Sequence, residues 1–154
     1  MKLKKATYRH IEAEIYCYHD TLKAIADLKD EILYSGSGEL PSVVGGTGYA
    51  HSQVERRATK LADSALLREM QRITGAIQDT YLKAKDEGKR VIWVKYGLEI
   101  MWEPDEQLRD DMRGKNRHDL QTWQMAEVLG VDESTFHRYR SGFVYGVAEK
   151  LGWW

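Results

Sequence analysis

Residues 122–141 read Thr122-Trp123-Gln124-Met125-Ala126-Glu127-Val128-Leu129-Gly130-Val131-Asp132-Glu133-Ser134-Thr135-Phe136-His137-Arg138-Tyr139-Arg140-Ser141, and their order decides the fold. The spacing predicts a helix, a tight turn and a second helix. Thr122 stands where its hydroxyl would cap the first helix, Met125 and Leu129 lie one turn apart on an inward face, and Ala126 is small where two crossing helices would collide. Gly130 ends that helix because the turn asks for a positive φ, which a Cβ penalises. Val131 then fills the corner, Asp132 caps the second helix, and Phe136, Tyr139 and Phe143 form its buried face. This is the spacing of a helix-turn-helix, whose second helix enters the major groove of a duplex, although short helix pairs in all-α cores meet some of the same constraints.

On the side of the second helix opposite Phe136 and Tyr139 the sequence places Glu133, Ser134, His137, Arg138 and Ser141, and Thr135 completes the candidate DNA-binding set on this helix. The fork of Arg138 suits guanine O6 and N7, with His137 and Ser134 reaching neighbouring bases. Glu133 would repel phosphate and suits cytosine N4 instead. Arg140, Thr122 and Gln121 are expected at phosphates. Arg113, Lys115, Arg117 and His118 put cationic charge where the incoming chain would cross the duplex backbone, and they read equally well as a solvated loop.

Upstream, Ile11, Ile15, Tyr18, Leu22, Ile25 and Ile32 recur in steps of three and four with Leu28 between them, which predicts one amphipathic helix over Lys5–Tyr34 with a near-heptad seam. A Gly-rich stretch over 35–50 predicts a loop; its Gly45-Gly46-Thr47-Gly48 lacks the Gly-Lys-Ser/Thr end of a phosphate cradle and reads as a turn. A second long helix is expected from Ser52 to Ala84, with Val54, Ala58, Leu61, Ala65, Met70, Ile73, Ile77 and Tyr81 on one side. Gly88 reads as a break before a third, apolar helix from Lys89 to Met101. The acidic segment Glu99–Asp111 follows, with Pro104 expected in the first turn of a short extra helix; its charge reads as a solvated face or as a docking surface for a basic partner. The expected class is all-α: residues 1–86 form a helical hairpin or coiled-coil oligomerisation arm, and residues 87–154 a DNA-binding domain.

Composition narrows the function. The 154 residues carry 23 Lys and Arg against 24 Asp and Glu, a net charge of −1, so DNA affinity must come from a local patch and not from bulk charge. One cysteine, Cys17, makes no internal disulfide, and the charged first residues, Met1–Glu14, carry no apolar run, which points to a soluble chain in a reducing cytoplasm with no membrane span. His10, Glu14 and Cys17 share a helical face but offer only three ligands, and Cys17 reads better as a buried small hydrophobe, so neither a metal nor another cofactor is expected. No nucleophile–base arrangement stands out, so an enzyme is not expected. Trp153 and Trp154 are expected to pack back on the helices, the alternative being an exposed pair that anchors a partner.

The chain resembles the ArpU/RinA family of phage transcriptional regulators, whose C-terminal part is similar to region 4 of bacterial sigma factors. The resemblance is carried by Asp20, Leu22 and Glu31-Ile32-Leu33 in the first helix, the loop ending at Gly45-Gly46, Val91-Ile92 and Tyr96, the helix-turn-helix, and Val147-Ala148-Glu149-Lys150-Leu151-Gly152. The connection from Tyr96 to Thr122 departs from the family in its length and its acidic insertion. The resemblance implies control of phage late or packaging genes by promoter binding, with contact to host RNA polymerase. The partners expected are therefore double-stranded DNA, that polymerase and further copies of the chain. Two alternatives are a helical protein–protein interaction module without DNA contact, and a small terminase-like packaging subunit that recognises DNA.

Overall fold

The computed structural model describes residues 2–37 and 46–154, and these are helical without strands: α1 (Lys5–Tyr16), α2 (Tyr18–Ser37), α3 (Gly46–Leu82), α4 (Asp86–Tyr96), α5 (Glu106–Met112), α6 (Thr122–Leu129) and α7 (Glu133–Leu151). The all-α expectation holds. Residues 38–45, half of the expected loop, lie outside the described residues; residues 35–37 close α2 and residues 46–50 open α3 where a loop was expected.

Two compact units emerge, Met1–Tyr18 with Gly75–Trp154, and His19–Thr74. The division does not follow residue 86, because α1 packs with the C-terminal helices and not in the arm. Its Ile11 and Ile15 are 0% and 1% exposed, α1 lies against α7, and the Leu3 amide donates to Tyr145 Oη at 3.1 Å. The long first helix is likewise interrupted at Cys17, which is exposed and not the buried small hydrophobe expected of it.

Within the larger unit α7 packs on α4, α1 and α6, and α6 also packs on α4 and α5. Their apolar faces meet in one cluster of Val91, Trp93, Val94, Leu108, Met112, Met125, Ala126 and Phe136. Each large side chain sealed there contributes about 1.5–3 kcal/mol from removal of its surface from water. The third helix is shifted from its expected place. Asp86 and Glu87 begin it, where acidic side chains oppose the positive end of the helix dipole, and Gly97 at φ 70° ends it. Gly88 is thus a buried interior residue under the Tyr139 ring and not a break, while Leu98 and Ile100 are buried in irregular chain beyond the helix. Asp105 caps α5 by accepting from the Leu108 amide at 2.8 Å, so Pro104 precedes the cap instead of entering the first turn.

The smaller unit comprises α2 from His19 and α3 up to Thr74. Ile25 is buried and Leu28 and Ile32 are half-buried, but Leu22, Leu33, Leu61 and Leu66 are exposed, as is Ala65. The apolar stripe expected on α3 is therefore sealed only from Ile73 onward, at Ile73, Ile77 and Tyr81. Val54 has no described side chain.

Candidate nucleic-acid interface

Backbone chemistry fixes the joint between α6 and α7. The Gln121 amide donates to Gln124 Oε1 at 2.8 Å and the Trp123 indole to Gln121 Oε1 at 2.8 Å, so Gln121 is the cap residue and Thr122, expected there, is the first residue of the helix. Gly130 takes φ 69°, its amide donates to Glu127 O and that of Val131 to Ala126 O at 3.0 Å, which satisfies the last carbonyls of α6. Asp132 then caps α7, its Oδ1 accepting from the Thr135 amide and its Oδ2 from Ser134 Oγ, both at 3.1 Å. The bonds from Thr135, and then from Ser134, hold the Asp132 carboxyl below the usual Asp range. Phe136 is fully buried, which sets the rotation of α7.

That rotation leaves Glu133, Ser134, His137 and Arg138 exposed and Thr135 half-buried. Arg138 lies over the adjacent Tyr139 ring at 5.4 Å. Two other residues of the expected set are turned inward. Arg140, placed at phosphates by the sequence reading, instead donates to both oxygens of Glu12 at 2.9–3.1 Å, and the side chains of the pair are only 17% and 14% exposed. Tyr96 Oη donates to the same carboxylate at 2.5 Å. Burial opposes the Arg140 charge, but Tyr96 and Glu12 outweigh it and raise the guanidinium above its ordinary value; burial and then Glu12 raise the Tyr96 hydroxyl well above its own. Ser141 faces α1, with its Oγ 3.4 Å from Tyr8 Oη. The reason is the same in both cases: α1 covers this side of α7, which spacing within α7 alone does not reveal.

Before α6, Lys115 and Gln121 are exposed, and Thr122, its first residue, is half-buried. Arg117 is not a solvated cation: its Nε donates to Val94 O at 3.3 Å, and its guanidinium stands 5.5 Å from the centre of the Trp93 ring.

Sequence reasoning missed Lys83 and Lys85. They share with Arg138, Tyr139, Gly142 and Ile92 a cleft of about 200 Å³ at the junction of α3 and α4. The junction thus adds two cations beside the exposed side of α7, followed at once by Asp86 and Glu87. Their placement across the cleft from Arg138 follows from Gly88 lying under the Tyr139 ring, which the sequence does not show.

The other candidates resolve into packing. His10 Nε2 is 3.7 Å from Glu14, and among the described residues no three His, Cys, Asp or Glu side chains are gathered to hold a metal ion. In the acidic segment, Glu99 accepts from Trp93 Nε1 at 2.9 Å and pairs with Arg109, Asp105 pairs with Arg90, and Asp110 with Arg113. The Trp153 ring meets His10 edge-on at 5.0 Å, while Trp154 is exposed. No described helix is long and apolar enough to cross a membrane. No family model, no curated protein and no solved structure matches the chain.

Proposed function

We propose that this chain is a sequence-specific, double-stranded-DNA-binding transcriptional regulator of the ArpU/RinA kind, non-enzymatic and acting in the cytoplasm of a phage-infected or lysogenic bacterium. The observation that carries the reading is the joint at Gly130: a left-handed glycine, an Asp132 cap and a fully buried Phe136 together turn Ser134, His137 and Arg138 outward on the first turns of α7. A helix-turn-helix needs this arrangement to present base-reading side chains in the major groove. Lys83 and Lys85, beside Arg138, suit the phosphates flanking that groove. Such a regulator addresses a promoter in contact with host RNA polymerase, and its copies join through His19–Thr74.

Selection of bound sequences from a pool of random duplexes tests the proposal. Enrichment of one motif by the parent, lost in Arg138→Ala, is the expected result. Retention of random sequence by both proteins would overturn it.

The exposed Leu22, Leu33, Leu61 and Leu66 favour a second reading, an interaction module that binds protein and not DNA. That module would enrich no duplex at all.

A further inference from the structure

The connection between α5 and α6 closes a second basic site, away from the exposed residues of α7. Arg109, Arg113, Lys115, Asn116, Arg117 and His118 line a pocket of about 400 Å³ whose apolar wall is Trp93 and Met112. Two of the cations are already matched, Arg109 with Glu99 at 3.4 Å and Arg113 with Asp110 at 2.9 Å. Lys115 and Arg117 form no salt bridge among the described residues, although the Glu99 charge acts on Arg117 from farther off.

Arg117 is the distinctive member. Burial lowers its hold on its proton, with Tyr16 and Glu99 acting the other way, which marks a guanidinium drawn partly out of water, yet its hydrogen-bond partner is one backbone carbonyl, Val94 O, and its guanidinium stands by the Trp93 ring. A guanidinium has five N–H donors in a planar fork. Here one of them is taken by Val94 O. Gly97 makes room for this placement: a Cβ there would come within 2.5 Å of Arg117 Nη1. A half-buried, incompletely bonded guanidinium beside a free lysine and an imidazole is matched by a compact oxyanion with several acceptors.

We propose that this pocket binds a phosphate group, with Arg117 and Lys115 as its principal ligands and His118 and Asn116 completing the donor set. The site stands on its own geometry and does not require the reading of α7. Its phosphate comes either from the backbone of a bound duplex or from a free phosphorylated molecule.

The test follows the Trp93 indole N–H and the His118 ring by NMR while inorganic phosphate, and in a parallel arm chloride, is added to the full chain at matched ionic strength. A saturable shift with phosphate and none with chloride is expected. Lys115→Gln, at an exposed position, should weaken the apparent affinity by about tenfold, as loss of one charge-assisted contact does. Arg117→Gln should abolish the response in a protein whose remaining spectrum is unchanged; should that variant unfold, Lys115→Gln carries the decision. A phosphate response that never saturates, matches chloride, or persists unchanged in Lys115→Gln overturns the site.

Adding a duplex to the phosphate-loaded chain identifies the source. Reversal of the Trp93 shift assigns the pocket to the duplex backbone, and simultaneous binding of both assigns it to a free ligand. Because Arg138→Ala should leave the phosphate response intact, failure of the groove reading and failure of this site give different results.

Discussion

Two glycines in α7, one turn apart, have opposite uses. A Cβ built on Gly142 meets nothing within 4 Å, whereas one built on Gly146 would stand 2.7 Å from Thr80 Cγ2. Thr80 has little freedom to retreat, since its hydroxyl donates to Ala76 O at 2.7 Å. Gly142→Ala should therefore stabilise the chain by up to about 1 kcal/mol through helix propensity, and Gly146→Ala should destabilise it by about 1–3 kcal/mol through overpacking. Urea denaturation reads both, and addition of Thr80→Ser should recover much of the Gly146→Ala loss; equal effects at the two positions would contradict the packing described. For the exposed cations, if the proposed function holds and Lys115 meets the duplex backbone, the expected contrast lies in binding. Arg138→Ala should cost about 1–3 kcal/mol on the preferred duplex and relax one base pair, while Lys115→Ala should weaken all duplexes alike and lower the salt slope by about one unit, as fluorescence anisotropy at several salt concentrations would show. Turn residues such as Gly130 and Asp132 were legible because their chemistry is local. Arg140 was not, because its partner Glu12 is 128 residues away and residue type alone does not distinguish a phosphate ligand from a structural ion pair.

At the scale of elements, the Glu12–Arg140 pair fastens α1 to α7, with Tyr96 of α4 as third member. Removing one partner strands a charge that is largely out of water, so Arg140→Met should cost about 3 kcal/mol, and the double change with Glu12→Leu distinctly less. A double-mutant cycle in urea measures the coupling, and additive losses would show that the pair does not hold the helices. The start of α7 carries a pH dependence whose sign follows from the Asp132 cap. Asp132 has its folded-state pKa depressed below the usual 3.8, so its contribution is complete above that value and fades as pH falls through the lower, folded value. Asp132→Asn retains an acceptor for the cap without the charge. The difference in thermal midpoint between parent and variant should stay constant from neutral pH down to the usual Asp value and shrink below it; a difference that grows on acidification would contradict the assignment. Helix existence was legible from periodicity, but its ends were less so. Gly97 ends α4 by taking φ 70°, a local signal hidden in an apolar run that continues to Ile100, whereas the break at Cys17 is marked by no turn residue.

For the whole molecule, the distribution of burial bears on assembly. Ile15 was expected on an oligomer seam but is sealed in the larger unit, where Ile15→Glu would bury a carboxylate and unfold the packing of α1 instead of reporting on association. Leu22 and Leu33 are different: they lie three turns apart on one line of α2, 40% and 69% exposed, in the unit where Leu61 and Leu66 are exposed as well. Large apolar side chains collected in one unit are costly to leave in water, and a second copy presenting the same stripe would cover them symmetrically. On the proposed DNA-binding function, a chain with a net charge of −1 also has reason to use two heads, since joining them makes the second contact intramolecular and raises avidity by about 10²–10⁴. Leu22→Glu with Leu33→Glu should therefore sediment as a smaller species than the parent, keep the thermal unfolding of the Gly75–Trp154 helices, and lose operator affinity by a factor in that range. If the parent is already a monomer at micromolar concentration and binds its operator no better than the double variant, the exposed stripe of α2 serves another partner, and a single α7 supplies all of the affinity.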